Sequence, residues 1–465
     1  MTVRPFLLWL VAPSLWAATA AGQMSPPDSE PVRRWSLSEY LAQVTASNLD
    51  YAAQTFSVPI AEAQLAVARL IPNPTLAWSA TKDVSGQHQA TSYDLSLTQT
   101  ILLGGKRGAR SDVARAQLGA ARAQLDDFLR TLLGTAATAY ADATHAEQVY
   151  ARKRRTVGDL ERLVVMNERR VLAGDIGEID LLQSRVDARQ AKADLAQAAS
   201  DVRTSRLALT GLLSPRAVDT LVAVMLPPDL ALFPPGDDTT LTPAPVPAVG
   251  AAGTPALRPI PGGLTEDSLV ALAVALRPDV VAARRARDAA RAGVLVAGGD
   301  RWPDIDLTVG GGYFTRGTNP LDPTPIFSSL TVGLSLPLPF SDLTHGEINA
   351  ARGTSAQAER MEASAEWRAA IEVRQAWRGV EAASVTVSQY GSDMLLDAER
   401  VRRAKLYSYA HGAASLLDVL QAEQTVNAVY LASYDAEQQY QHALIQLAQA
   451  SGVWFLVGTT ARGSR

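Results

Sequence analysis

One stretch of the sequence decides the fold: residues 93–110 read YDLSLTQTILLGGKRGAR. Tyr93, Leu95 and Leu97 alternate with polar residues, and a period of two is typical of a strand with one apolar face. A glycine-rich turn follows, and an Ala-rich tract begins directly behind it. The stretch therefore predicts a strand that passes through a tight turn into a helix.

The distribution of proline extends this reading to the whole chain. None of the 26 prolines falls in 75–214 or 340–465, whereas eleven lie between Pro215 and Pro261. Because a proline inside a helix costs about 3 kcal/mol, the two proline-free tracts leave room for long helices. We interpret 215–263 as a Pro-rich linker between them.

The two halves share landmarks in the same order. Gly108 corresponds to Gly346, Gly174 to Gly412, and the Asp-Leu-Leu-Gln motif at 180–183 to Asp-Val-Leu-Gln, each pair 238 positions apart. These matches predict a duplicated unit, with copies at 22–214 and 264–455 and a tail at 456–465. The alternative is two unrelated helical regions that both use glycine at turns.

Each copy is predicted to contain a helix, two strands and a long helical hairpin. The strands show one apolar and one polar face and lie at about 74–82, 92–102, 304–315 and 328–339. The preceding helices are expected at 36–70 and 265–298. The hairpins are expected at 108–173 with 178–212 and at 346–410 with 415–450, turning near Gly174 and Gly412.

The N-terminus and the composition narrow the class of protein. Residues 1–21 have a basic start, an apolar run and small residues, which predicts a secretory signal cleaved after Ala20 or Ala21. No later apolar run approaches the length of a membrane helix. A net charge of −4 argues against nucleic-acid binding, and the absence of cysteine excludes disulfides, thiolate metal sites and a lipid anchor.

Four strands with one apolar face each are too few to close a membrane barrel within one chain. Lipid cannot satisfy an open sheet edge, so strands in a membrane must close into a barrel. Two chains would supply eight strands, whose interior is filled by side chains, so a channel needs at least three chains and twelve strands. The sequence therefore predicts a mainly α protein with a shared membrane β-barrel. A soluble sheet packed on helices is the alternative, but it would not need polar residues along one face of every strand.

The duplicated plan resembles the TolC-type outer-membrane efflux channels over nearly the whole chain. The segment Leu-Ile71-Pro-Asn73-Pro, with 95–110, is similar to the cation-efflux (CzcC) branch. The resemblance implies a homotrimer with a twelve-stranded barrel in the outer-membrane lipid of a Gram-negative bacterium and a long α-helical barrel in the periplasm. It also implies a periplasmic adaptor (membrane fusion) protein and an inner-membrane resistance-nodulation-division pump, exporting cobalt, zinc, cadmium and related ions.

The same resemblance places candidate functional residues at the hairpin tips. Asp418 matches the first acidic position of a constriction formed by three chains, whereas Gln421 stands where a second acid is expected. Asp180 and Gln183 are their counterparts in the first hairpin. A ring of Asp418 side chains would favour cations; the alternative is an ordinary surface residue beside a turn.

Other residues mark the turns themselves. We expect adaptor contacts at four positions of the tips, where the acidic residues could equally stabilise a helix N-terminus: Gly174, Asp175, Glu178 and Gly412. The strand-to-helix junctions are assigned to Gly104, Gly105, Lys106, Arg107, Gly108 and Gly346. A phosphate-binding loop would need glycine at position 100 and Ser or Thr at 107, and the chain has Thr100 and Arg107.

No metal site, cofactor or catalytic motif is predicted. The five histidines, at 88, 145, 345, 411 and 442, have no spacing suited to one ligand set. The leading hypothesis is a passive exit duct for heavy-metal cations. The alternatives are a duct of the same family for drugs or secreted proteins, a periplasmic adaptor, which normally has one hairpin and soluble β domains, and a structural coiled-coil protein.

Overall fold

The computed structural model describes residues 35–82, 91–213, 265–316, 325–338 and 343–452. The expected signal segment 1–21, the linker 215–263, the tail 456–465 and His88 lie outside the described residues and stay predictions.

The first copy contains five helices and two strands within these bounds. They are α1 (Leu37–Ser47), α2 (Leu49–Thr55), α3 (Ser57–Ala68), β1 (Thr75–Lys82), β2 (Thr91–Ile101), α4 (Lys106–Ala173) and α5 (Glu178–Gly211). The second copy repeats the plan as α6 (Glu266–Leu276), α7 (Pro278–Gly299), β3 (Ile305–Phe314), β4 (Phe327–Ser335), α8 (Leu343–Gln389), α9 (Ser392–Ala410) and α10 (Leu416–Ser451). The duplicated plan is confirmed, and at about 1.5 Å per residue α4 is about 100 Å long.

The helices expected to be continuous at 36–70 and 265–298 are both broken, which corrects the sequence prediction. Asn48 leaves the helical conformation with ψ 124° and caps α2, its side chain accepting a hydrogen bond from the Tyr51 amide. In the second copy Arg277 is extended with ψ 128° because Pro278 follows it. The two breaks occupy equivalent places in the copies.

The outgoing helix of the second hairpin is also interrupted, again unlike the prediction. Gly391 caps α9 with ψ 169°, so that α8 ends at Gln389. The equivalent stretch of α4 is continuous. The two hairpins therefore differ in structure although their sequences predict the same path.

The sheet and the helices next to it share one order. The strands run β1-β2-β3-β4, all antiparallel, and the helices that join them pack in the order α3, α4, α7, α8. Each strand is thus continued by one helix of the adjoining helical layer. Farther from the sheet, α4 pairs with α5, α9 pairs with α10, and α10 packs against α4.

The buried residues form separate clusters rather than one central core. One cluster joins α1, α4 and α5 around Tyr40 and Leu209, and another joins α6, α8 and α10 around Leu269 and Leu447. Leu209 and Leu447 lie 238 positions apart, and both are almost completely buried. Each copy therefore buries its first helix against its own hairpin. None of the described helices is both long and apolar enough to cross a membrane.

Candidate functional site

The register of the sheet places apolar residues in rows on one face. Pairing aligns Leu76, Leu97, Val309 and Val332 in one row, and the next row contains Trp78 and Leu330, which are 68% and 79% exposed. Apolar surface of this extent normally contacts another molecule or lipid. The predicted apolar face is thus continuous across all four strands.

The opposite face is polar. Thr98 and Thr308 are joined by a hydrogen bond of 2.9 Å between their hydroxyl oxygens, and the Thr100 hydroxyl donates to Asp306 at 2.6 Å. Within the part of the chain that the structure describes, β1 and β4 each pair along only one side. Both edges therefore expose backbone groups that further strands could pair.

The strand-to-helix junction is built from the close approach of the two copies. Gly104 and Gly105 have positive φ of 67° and 71°, and a Cβ on Gly104 would lie 2.6 Å from the Gly299 carbonyl oxygen. Lys106, 5% exposed, lies 2.9 Å from Asp304 and 3.4 Å from Asp300. Gly104 and Lys106 therefore fix the first copy to the second, and Gly105 supplies a left-handed residue of the turn, which explains the sequence without a phosphate.

The remaining junction residues play smaller parts. Arg107 and Gly108 are exposed, and a Cβ on Gly108 or Gly346 would meet open space. Gly108 and Gly346 were expected to open the long helices, and that expectation is wrong. Helix α4 begins at Lys106 after Gly105, and α8 begins at 343, so both glycines lie inside the first turn.

The two hairpin tips have the same backbone design. Gly174 and Gly412 have φ of 80° and 75°, and each donates its amide to the carbonyl three residues earlier. The next amides, of Asp175 and Ala413, donate five residues back, to Arg170 and Ser408, at 2.9 and 2.8 Å. This pattern is the Schellman motif, which requires a left-handed residue and hence favours glycine.

Asp418 lies in the first turn of α10, where it caps the helix. Its carboxylate accepts from the amide and hydroxyl of Ser415, and the Lys405 ammonium donates to it at 2.9 Å. The hydrogen bond from Lys405, followed by those from Ser415, lowers the pKa of Asp418 to about 2. The carboxylate is 39% exposed, and its charge is offset within its own hairpin.

The other tip residues are more open. Asp175, Glu178 and Gln421 are exposed, and Gln183 donates to Asp187 at 3.2 Å. Asp180 is half-buried in the first turn of α5. Glu178 and Asp180 lie in the first turn of α5, where their charges are favourable without a ligand.

Sequence reasoning missed the residues that join the two tips. Tyr409 is buried, and its hydroxyl donates to the side-chain oxygen Oδ1 of Asn167 at 2.8 Å. Arg170 donates to the Tyr409 carbonyl at 2.9 Å, and its guanidinium lies 4.7 Å from the centre of the Tyr409 ring. These residues are more than 230 positions apart, so only packing brings them together.

Three of the histidines lie beside an acidic or aromatic side chain. His145 lies 2.7 Å from Asp435, and His442 lies 2.8 Å from Asp142. His411 packs on Tyr407. Among the described residues, no group of three or more His, Asp or Glu side chains could hold a metal ion.

The described residues thus form a layer of long helices continued by a sheet with one apolar face, one polar face and two unpaired edges, as expected for a channel-forming membrane protein. The chain belongs to the outer membrane efflux protein family, whose sequence profile matches residues 40–214 and 269–453. The two matched stretches correspond to the two copies.

Comparison with individual proteins agrees with the family match. The chain is 22% identical to the cobalt-zinc-cadmium resistance protein CzcC of Cupriavidus metallidurans over 394 residues, covering 84% of each chain. The structure is similar to CusC, with a TM-score of 0.68, 19% identity and coverage of 90% of this chain and 92% of CusC. It is also similar to VceC of Vibrio cholerae, with a TM-score of 0.68, 19% identity and coverage of 90% and 96%. The family match confirms the resemblance to the outer-membrane efflux channels, and the similarity to CzcC agrees with the expected branch.

Proposed function

We propose that the protein is the passive outer-membrane exit duct of a tripartite efflux system that exports heavy-metal cations. In this proposal an inner-membrane pump of the resistance-nodulation-division class supplies the energy, and a periplasmic adaptor joins pump and duct. The similarity to a cobalt-zinc-cadmium resistance protein over 84% of both chains is the observation that carries the choice of cargo. The relatives are efflux channels, and we propose no catalytic step.

The open edges support a homotrimer. One copy supplies four strands and four adjoining helices, with β1 and α3 at one edge and β4 and α8 at the other. Three copies would give twelve strands, enough to leave an open interior. The apolar face would then contact outer-membrane lipid, and the long helices would extend into the periplasm.

The hairpin tips support contact with an adaptor. Leu172 and Ile179 of the first tip are 87% and 80% exposed, and Leu417 of the second is 63% exposed. Exposed apolar side chains at the ends of hairpins can serve as anchors for a partner helix. The turns at Gly174 and Gly412 would fix the positions of these apolar side chains.

We also propose that Asp418 lines the aperture, with a charge that Lys405 partly offsets. Replacing Lys405 with Gln should raise cation selectivity in planar-bilayer recordings, and replacing Asp418 with Asn should lower it. The exposed Arg403 on the same helix provides a control, Arg403→Gln. Unchanged selectivity in both tip variants would remove Asp418 from the aperture.

A duct for amphiphilic organic compounds is the second candidate. A groove of about 990 Å³ between α3, α4 and α7 has mainly apolar walls, with Arg110 and Asp300 among its lining residues. A volume of this size accommodates a drug-sized molecule.

Gene deletion tests the cargo. We expect the deletion strain to become sensitive to cobalt, zinc, cadmium, nickel or silver and to regain resistance when the gene is restored. An unchanged metal profile with increased sensitivity to antibiotics would favour organic cargo. Analytical ultracentrifugation of the detergent-solubilised protein tests the assembly separately, since a monomer would contradict the shared barrel.

A further inference from the structure

Five charged side chains from three helices meet where α4 packs against the second hairpin. We call this group the inter-hairpin ion cluster: Arg152 and Asp159 of α4, Glu399 and Arg402 of α9, and Glu423 of α10. Arg402 lies 2.9 Å from Glu399, 3.4 Å from Asp159 and 3.5 Å from Glu423. Arg152 lies 3.6 Å from Glu399.

The cluster is unusually deep for a surface built from long helices. Arg152 and Glu423 are each only 6% exposed. Three carboxylates share the buried guanidinium of Arg152 and the half-buried guanidinium of Arg402, although the exposed Arg162 also pairs with Asp159. Breaking water contacts around such charges is costly unless every group gains a partner.

Glu423 is the member with the poorest partners. Its Oε1 atom has no hydrogen-bond partner among the described residues, and its Oε2 atom reaches Arg402 only at 3.5 Å. Arg152 is directed elsewhere, since it donates to Asn427 at 2.7 Å and its guanidinium lies 4.2 Å from the centre of the Tyr430 ring. An ionised Glu423 is therefore incompletely compensated.

The charges around Glu423 act in both directions. Burial raises its pKa, Asp159 and Glu399 raise it further, and Arg402 and Arg152 oppose the rise. Because the pKa is raised in the packed state, Glu423 favours packing in acid, and this contribution is lost as the pH rises through that pKa.

We propose that Glu423 makes the contact between the two hairpins proton-dependent: α9 and the start of α10 pack tightly on α4 when Glu423 is protonated, and the contact loosens when it ionises. Protonation removes the uncompensated charge and gives the carboxyl group an O–H donor for its neighbours. The inference concerns packing within one chain and is independent of the proposed cargo.

Two features of the same interface allow the assignment to be tested. Glu437 of α10 is a second acid whose pKa is raised by burial, but Gln148 donates a hydrogen bond to it, and among the described residues it belongs to no ion pair. The pairs of His145 with Asp435 and His442 with Asp142 also join α4 to α10. Variants at Glu423 and Glu437 therefore separate the cluster from the rest of the interface.

Hydrogen–deuterium exchange of the full-length protein in detergent measures the contact directly. After correction for intrinsic exchange, we expect protection in 395–405 and 416–430 to fall at least about threefold between about pH 5 and about pH 8. The wild-type comparison alone decides whether the interface responds to protons, and unchanged protection would overturn the proposal.

The variants decide which residue is responsible. Glu423→Gln is neutral at every pH and of the same size, so its protection should stay high throughout. Glu437→Gln should retain the wild-type response. A response that survives in Glu423→Gln, or disappears in Glu437→Gln, would contradict the role of Glu423.

Discussion

Replacing Gly104 with Ala should destabilise the protein more than replacing the adjacent Gly105. Both glycines have positive φ, 67° and 71°, and forcing an L-residue into this region costs about 1–2 kcal/mol. A new Cβ at position 105 meets nothing within 4 Å, whereas at 104 it would lie 2.6 Å from the Gly299 carbonyl oxygen. Because that oxygen belongs to the backbone, relief requires α7 to shift, which adds about 1–3 kcal/mol.

We therefore expect losses of about 1–2 kcal/mol for Gly105→Ala and about 2–5 kcal/mol for Gly104→Ala. Urea unfolding of the detergent-solubilised protein, followed by tryptophan fluorescence, gives both values under one condition. Gly105→Ala is the matched control, since it tests the backbone conformation without the collision. Equal losses would refute the argument that close approach of the two copies fixes the junction.

Three further outcomes are expected. Tyr409→Phe should lower the free energy of unfolding in urea by about 1–3 kcal/mol, because the buried side-chain amide of Asn167 loses its hydrogen-bond donor. Tyr407→Phe, at an exposed position, should lower it by less than about 0.5 kcal/mol. Equal losses would contradict the role of the buried hydrogen bond. Leu97→Arg, on the apolar face, should lower the amount of folded protein in outer-membrane fractions far more than Ser96→Arg on the polar face. The reason is that an arginine facing lipid costs up to about 2–4 kcal/mol. The reverse order would mean that the polar face contacts the lipid. The capping contribution of Asp418, whose pKa is lowered to about 2, is present above its ordinary pKa of 3.8 and is lost as the pH falls through about 2. Amide exchange in the first turn of α10 should increase over that range, and Asp418→Asn should remove the pH dependence.

Much of the fold could be predicted because it depends on local pattern. Alternation over about ten residues predicted every strand to within a few positions, and the glycines at 108 and 174 placed α4 to within two residues of its observed bounds. The tip glycines could be found because a left-handed C-cap is itself a local requirement. The helix break at Asn48 was missed because asparagine is tolerated inside helices as well as at their ends.

The contacts of the candidate site could be predicted from the sequence only in part. Asp418 could be identified as a tip residue, but its pairing with Lys405 and its capping of α10 depend on how the two arms of the hairpin turn toward each other. Tyr409, Asn167 and Glu423 carry no sequence pattern, since their partners lie on other helices.

The sequence by itself determined the duplicated plan, the two faces of the strands, the glycine turns and the long helices, because each follows from backbone preference or from the periodicity of apolar residues. Only the tertiary structure decided which residues of the two copies contact each other and which charged side chains are buried between the helices. Lys106 meets Asp304, and Arg402 meets Asp159 and Glu423, across separations that no local rule covers. Their energies depend on distance and on exclusion of water, and both quantities exist only after the helices have packed.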